Sequence, residues 1–88
     1  MNGFYNANTE EKFNRVTKKL LNNGYIWVGI DKNPSFEKCK RQIHENAKLI
    51  INAFYNDITR KHEIQFGTRS IYKTYPQFKN IKIMEMED

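Results

Sequence analysis

Cysteine and long apolar runs are nearly absent from this 88-residue chain. Cys39 is the only cysteine, so no internal disulfide can form and nothing indicates a fold built for an oxidising compartment. The longest aliphatic cluster, Leu49-Ile50-Ile51, is far too short to span a bilayer, and residues 1–6 do not read as an export signal. We therefore expect a cytoplasmic protein that makes no use of a membrane.

Residue sets typical of catalytic and metal sites are also missing. Cys39 and His44 lie five positions apart, about 140° round a helix axis, so their side chains diverge. His62 needs a partner from elsewhere in the fold to act as a base. The four glycines never cluster into a phosphate-binding loop, and one cysteine with two distant histidines does not make a metal site. The sequence predicts no enzymatic activity, no metal and no cofactor.

Positive charge is what the chain has in excess. Fifteen Lys and Arg against ten Asp and Glu give a net charge of +5. Three of the acids, Glu85, Glu87 and Asp88, lie in the last four residues, so residues 1–84 carry fifteen bases against seven acids, or +8. This excess favours an anionic partner such as nucleic acid, an acidic protein surface or a membrane face. A compositional bias towards Lys and Asn is the alternative explanation.

A helix is predicted over residues 9–23. Asn8 and Glu11 have the spacing of a capping box, and Gly24 is suited to a left-handed position after the helix. The apolar positions Phe13, Val16, Leu20 and Leu21 recur at helical spacing. The opposite face carries the bases Lys12, Arg15, Lys18 and Lys19.

A strand over residues 25–30 and a second helix follow. The strand is β-branched and aromatic and ends at Asp31-Lys32-Asn33-Pro34, a turn sequence. Pro34 suits the first position of the next helix. The apolar residues of that helix are Phe36, Cys39, Ile43 and Ala47, and its bases are Lys38, Lys40 and Arg41.

Residues 47–60 allow two structures. The apolar spacing of Ile50, Phe54 and Ile58 extends the second helix to about 25 residues. Alternatively, strands over residues 49–55 and 58–66 flank Asn56-Asp57, a common turn pair. The β-branched and aromatic pairs favour the hairpin, and the long helix stays open.

The end of the chain is predicted to hold a short helix and a strand. Thr68 caps the helix, which runs to Tyr75 and is stopped by Pro76, and residues 80–84 form the closing strand. The whole chain is thus predicted to be one α+β domain. Its first helix covers an antiparallel sheet of about four strands, and its second helix is inserted after the first strand.

Ten residues are candidates for contact with a partner. If the two helices lie side by side, their bases form one electropositive surface, and exposed aromatics and Arg are typical of interface anchors. Solvated helix faces and core packing are the alternative roles of the same side chains. The candidates are Lys12, Arg15, Lys18, Lys19, Lys38, Lys40, Arg41, Tyr55, Arg69 and Tyr72.

Two segments carry a resemblance to a known group. They are Leu20-Leu21-Asn22-Asn23-Gly24-Tyr25-Ile26-Trp27 and the run from Ile64 to Pro76, Ile-Gln-Phe-Gly-Thr-Arg-Ser-Ile-Tyr-Lys-Thr-Tyr-Pro. Together they resemble small, mostly uncharacterised proteins of bacteriophages of Gram-positive bacteria. The opening helix also looks loosely like ribonuclease toxins of the HicA type, but their catalytic Gly-Ser-His stretch is absent after Trp27.

The resemblance implies a function. Phage accessory proteins of this size commonly bind a host enzyme stoichiometrically, including defence nucleases, as anti-CRISPR proteins do, and replication factors. We therefore expect a non-catalytic protein of the host cytoplasm that binds a host protein. The host protein is expected to be one that handles nucleic acid. Direct binding of DNA or RNA by the basic helices is the alternative, and the protein is expected to be a monomer or a homodimer.

Overall fold

The computed structural model describes residues 1–29, 31–78 and 80–87 and has an α+β fold, as predicted. The five strands of this described part are β1 (Gly3–Asn6), β2 (Ile26–Trp27), β3 (Ile50–Asn56), β4 (Lys61–Gly67) and β5 (Ile83–Met84). Its helices are α1 (Glu10–Asn22), α2 (Phe36–Arg41) and α3 (Arg69–Tyr72), followed by a 3-10 turn at Pro76–Phe78.

The sheet is mixed, and the prediction of about four antiparallel strands is only partly matched. The strand order is β2-β4-β3-β1-β5. The β3 strand pairs antiparallel with β4 and with β1, whereas β2 is parallel to β4 and β5 is parallel to β1. Strand β1 was not predicted from the sequence, and its partner residues in β3 lie more than 40 positions away. Such pairing leaves no local signal.

The first helix forms close to its predicted bounds, with a different cap. Thr9 Oγ1 accepts a hydrogen bond from the Lys12 backbone N–H at 3.1 Å, so Thr9 is the N-cap and not Asn8. The Asn8 amide oxygen instead accepts from the Leu49 N–H at 2.9 Å, which ties the start of α1 to β3. Gly24 follows the helix with φ +87°, the left-handed conformation expected there.

The second helix is shorter than predicted. Ser35 caps it, and Pro34 lies before the cap and not at the first helical position. The helix ends at Arg41, so Ile43 and Ala47 belong to the following loop. The strand after α1 is also shorter than predicted, because β2 covers only Ile26 and Trp27 among the described residues. Ile30, the predicted last residue of this strand, lies outside the described residues.

The hairpin prediction is confirmed and the long-helix alternative is wrong. Strands β3 and β4 pair along seven residues each. Their connection spans residues 57–60 and not Asn56-Asp57 alone, so Ile58 and Arg60 belong to the turn. Asn56 Oδ1 accepts from the Ile58 N–H at 2.9 Å, and Arg60 takes φ +58° to return the chain.

Each face of the sheet carries a hydrophobic core. The first face, which holds the main core, is covered by α1 as predicted. The main core joins Phe13, Val16 and Leu20 of α1 to Ile51 and Ile64 of the hairpin. The second core lies on the other face, where Tyr72 and Ile81 pack on Ile50, with Phe4 and Phe78 at the margin.

The C-terminal elements follow the predicted order with shorter bounds. Thr68 Oγ1 accepts from the Ile71 N–H at 3.3 Å, which confirms it as a cap. The α3 helix ends at Tyr72, and Pro76 begins a 3-10 turn. The final strand is two residues long. No helix in the described ranges has the length and apolar character needed to cross a membrane.

Candidate partner-binding surfaces

One half of the second sheet face carries apolar side chains that neither core includes. Ile26 of β2 is 42% exposed, and Val28, just beyond it, is 43% exposed. Ile26 lies opposite Glu63 in the strand register, and Glu63 lies opposite the half-buried Phe54. Ile26, Glu63 and Phe54 therefore form one row across β2, β4 and β3. We call Ile26, Val28 and Phe54 the apolar patch.

The patch is held in shape by the hairpin turn. Glu63, at the centre of its row, is buried and accepts hydrogen bonds from Asn56 Nδ2 at 2.8 Å and from Thr59 Oγ1 at 3.1 Å. Ile58, at the tip of the same turn, is almost fully exposed. Beside the patch, β2 lies at the edge of the sheet and, among the strands of the described residues, pairs with β4 alone, and an edge strand can accept a further strand.

A second surface lies along α1, where the acidic C-terminus folds back on the basic helix. Glu85 forms an ion pair with Lys12 at 3.0 Å and accepts from Asn6 Nδ2 at 2.8 Å. Hydrogen bonds from Asn6 and Lys12 lower the pKa of Glu85, so this carboxylate is ionised at neutral pH. The Lys19 ammonium donates to the Glu87 backbone oxygen at 2.9 Å. Two of the four predicted bases of α1 therefore hold the chain's own tail.

The other two bases of α1 face a groove next to the tail. Arg15 donates to Glu11 at 2.8 Å, one turn earlier in the helix. Lys18 is exposed and forms no ion pair with any side chain of the described ranges. The groove has a volume of about 470 Å³ and is lined by Glu11, Asn14, Arg15, Lys18, Lys19, Asn22 and Glu87.

The bases of α2 do not join those of α1 in one free surface. Lys38 pairs with Asp31 in the preceding turn. Lys40 donates to Asn8 Oδ1 at 2.9 Å and to the Ala47 carbonyl at 3.0 Å, so it connects α2 to the start of α1 and to the loop before β3. Arg41 is exposed.

The remaining candidates lie in three different environments. Tyr55 is exposed, and its ring contacts His62 edge-on with centroids 5.0 Å apart. Arg69 donates to the Ile81 carbonyl at 3.3 Å. Tyr72 is only 3% exposed and contacts Phe4 in the second core, so it does not belong to a surface.

Cys39 and the two histidines lie in different environments. Cys39 is fully buried in the main core, and burial, followed by the nearby Asp31, raises the pKa of its thiol to about 11. Both imidazoles are exposed, and no hydrogen bond links either to the thiol in the described ranges. Nor do those ranges hold a group of three or more His, Cys, Asp or Glu side chains placed to bind a metal.

Comparison with protein-family models, with curated proteins and with solved structures found no match. The resemblance to phage proteins stays a prediction.

Both surfaces include residues that were not predicted from the sequence to bind a partner. For the apolar patch a signal existed, because Ile26 and Trp27 are successive apolar residues of one strand and must point to opposite faces. For the tail, the sequence shows bases on α1 and acids at residues 85 and 87, and these opposite charges favour a contact between them. Nothing showed that Met86, between two acidic residues, is a core residue, 8% exposed.

Proposed function

We propose that this protein is a non-catalytic, phage-like modulator that binds a host protein and blocks it. The observation that carries the proposal is the apolar patch beside the open edge of β2. Exposed apolar side chains beside a sheet edge are typical of protein interfaces, and an edge strand offers backbone hydrogen bonds to an added strand. Such a surface suits a protein better than a phosphate backbone, which is recognised mainly by cations.

The charge of the body supports the same kind of partner. The chain carries +5 with the acidic tail included, and several bases outside the patch, among them Lys18, Arg41 and Lys61, are exposed. A positive field speeds encounter with an acidic protein surface without needing to form contacts in the final complex. The resemblance implies a host protein that handles nucleic acid.

The test is capture from a lysate of a Gram-positive host with three forms of the purified protein. Ile26→Asp places a charge in the patch, whereas Ile71→Asp places the same charge on an equally exposed isoleucine of α3. We expect a host protein captured by the wild type and by Ile71→Asp and lost with Ile26→Asp. Calorimetry with that purified protein should then give one-to-one binding. Equal capture by all three forms would contradict the assignment of the interface.

Direct nucleic-acid binding is the second candidate, and one observation favours it. The exposed rings of Tyr55 and His62 contact each other next to the exposed Arg60 and Lys61, which gives a stacking surface beside two cations. Titration with single-stranded and duplex oligonucleotides at several salt concentrations tests it. Binding that weakens steeply with salt and is lost in Tyr55→Ala supports this candidate, and no binding at about 50 mM salt excludes it.

A further inference from the structure

The tail, residues 85–87, occupies a site that has the features of a peptide-binding site. Lys12 and Lys19 lie seven residues apart on α1, so they share one side of the helix about 10 Å apart. Lys12 binds the Glu85 carboxylate and Lys19 binds the Glu87 backbone oxygen. Between these two contacts, the Met86 side chain enters the main core. We call Lys12, Lys19 and the pocket filled by Met86 the tail site.

The tail is attached by few contacts. The strand before it, β5, pairs with β1 through two residues only. The Glu85 contacts are exposed to solvent, and exposed ion pairs contribute little to stability. Met86 is therefore the main anchor, through the burial of its apolar side chain. A segment with the same chemistry can compete for the site.

A groove next to the tail site offers further contacts. The groove of about 470 Å³ continues along α1 from Glu87 past Lys18 to Asn22. Lys18 adds a positive charge there that no described side chain pairs. A ligand longer than the tail, with further acidic groups, gains contacts that the tail does not make.

We propose that the tail site binds an extended acidic–apolar–acidic segment of a partner protein, and that the chain's own tail occupies it in the free protein. Alternate residues of an extended segment point to opposite sides, which places the first acid on Lys12 and the apolar residue in the pocket, while Lys19 binds the backbone carbonyl of the third residue. A protein is favoured over nucleic acid because the pocket takes an apolar side chain and Lys19 binds a peptide carbonyl. The proposal rests on the proposed function only in taking the partner to be a protein.

The experiment measures binding of a fluorescent peptide with the sequence of residues 82–88 to the full-length protein by anisotropy. In the wild type the attached tail competes at an effective concentration in the millimolar range. Met86→Asp removes its anchor, so we expect the peptide to bind this variant at least about tenfold more tightly than the wild type. Glu85→Gln, which changes no core residue, should give a smaller increase in the same direction and guards against misfolding of Met86→Asp.

Matched controls define the site. Adding Lys12→Gln and Lys19→Gln to the Glu85→Gln protein should weaken peptide binding severalfold, whereas adding Lys18→Gln, at a base outside the tail site, should leave it nearly unchanged. A peptide in which Asp replaces both methionines should not bind. Equal binding to wild type and both tail variants, or none to either tail variant, would overturn the proposal.

Two other ligands are outcomes of the same experiment. An oligonucleotide that binds the tail variants in place of the peptide would overturn the proposal in favour of phosphate recognition. Dimerisation of the tail variants, measured by sedimentation without peptide, would overturn it in favour of pairing between copies. No host protein is used here, so failure of this test is distinct from failure of the capture experiment with Ile26→Asp.

Discussion

The ring of Tyr72 lies directly against the backbone of Gly67. A Cβ at position 67 would come within 3.0 Å of Tyr72 Cε2 and 3.3 Å of Cζ. Only Thr68 separates β4 from α3, so the chain folds back at once and brings the ring onto the end of the strand. Gly67 is required here for space and not for its backbone angles, since its φ is not positive.

Gly67→Ala should therefore destabilise the fold. We expect the free energy of unfolding to fall by about 1–3 kcal/mol, because the added methyl pushes the buried Tyr72 ring by a few tenths of an ångström in the second core. Urea denaturation measures the change. In a Tyr72→Leu background the cost of Gly67→Ala should shrink by about 1 kcal/mol or more, and an unchanged cost in that background would show that the two residues are not coupled.

The Tyr72 hydroxyl is a second point of sensitivity. Burial raises the pKa of Tyr72 and the Gln65 side chain lowers it in part, yet the buried hydroxyl has no hydrogen-bond partner of normal geometry in the described ranges. An unpaired buried hydroxyl costs stability, so Tyr72→Phe should be neutral or should stabilise the protein by up to about 1 kcal/mol.

Tyr25→Phe is the matched control for Tyr72→Phe. The Tyr25 hydroxyl donates to Asn2 Oδ1 at 2.6 Å, so its removal should lower the free energy of unfolding by about 0.5–1.5 kcal/mol. Thermal and urea denaturation of both variants give the comparison. A loss with Tyr72→Phe as large as that with Tyr25→Phe would mean that the Tyr72 hydroxyl has a partner.

Lys40 and Arg41 should respond differently to the same change. Lys40 donates two hydrogen bonds that connect α2 to Asn8 and Ala47, whereas Arg41 is exposed. We expect Lys40→Ala to lower the free energy of unfolding by about 1–2 kcal/mol and Arg41→Ala to change it by less than about 0.5 kcal/mol. Equal effects in urea denaturation would show that Lys40 is a surface base like its neighbour.

The Cys39 thiol should be unreactive in the folded protein. It is fully buried, and its pKa of about 11 leaves almost no thiolate at pH 8. Reaction with Ellman's reagent should therefore be slow in buffer and become fast in concentrated urea, where the thiol is exposed at its ordinary pKa. Fast modification in buffer would indicate that the helix α2 opens readily, since Cys39 lies in that helix.

The elements with local signals were the ones that the sequence predicted. The α1 helix has a capping residue, an apolar stripe and a following glycine within 16 positions, and the hairpin has its turn residues between two β-branched runs. The β1 strand has none of these. It exists because Phe4 and Tyr5 pair with β3 on one side and with β5 on the other, contacts that only the folded chain creates.

The candidate surfaces show the same limit. The sequence shows the bases along α1 and α2. It does not show which of these bases remain free to bind a partner, because that depends on residues distant in sequence. Asn8 holds Lys40 from 32 positions away, and Glu87 holds Lys19 from 68 positions away. The tail contact also required Met86 to be a core residue, and an apolar residue flanked by acids gives no local reason to expect burial.

Acid should weaken the contact between the tail and α1 before the rest of the fold is lost. Docking lowers the pKa of Glu85 below its ordinary value of 4.5. A carboxylate with a lowered pKa stabilises the docked state fully above its ordinary value, and this contribution is lost as pH falls from there through the lowered pKa. We therefore expect docking to be unchanged from pH 7 to about 5 and to weaken below 4.5.

Methyl NMR of the methionines measures this weakening. The chain has three methionines, and Met86 can be assigned with Met86→Leu. Its methyl signal should move part of the way towards the position of an exposed methionine as pH falls below 4.5, ahead of the loss of far-UV circular dichroism, because Met86 burial still favours the docked tail. Met84, whose methyl lies over Gly3, is the internal control. The step should vanish in Glu85→Gln, and a Met86 shift that persists in that variant would assign the acid sensitivity to another group.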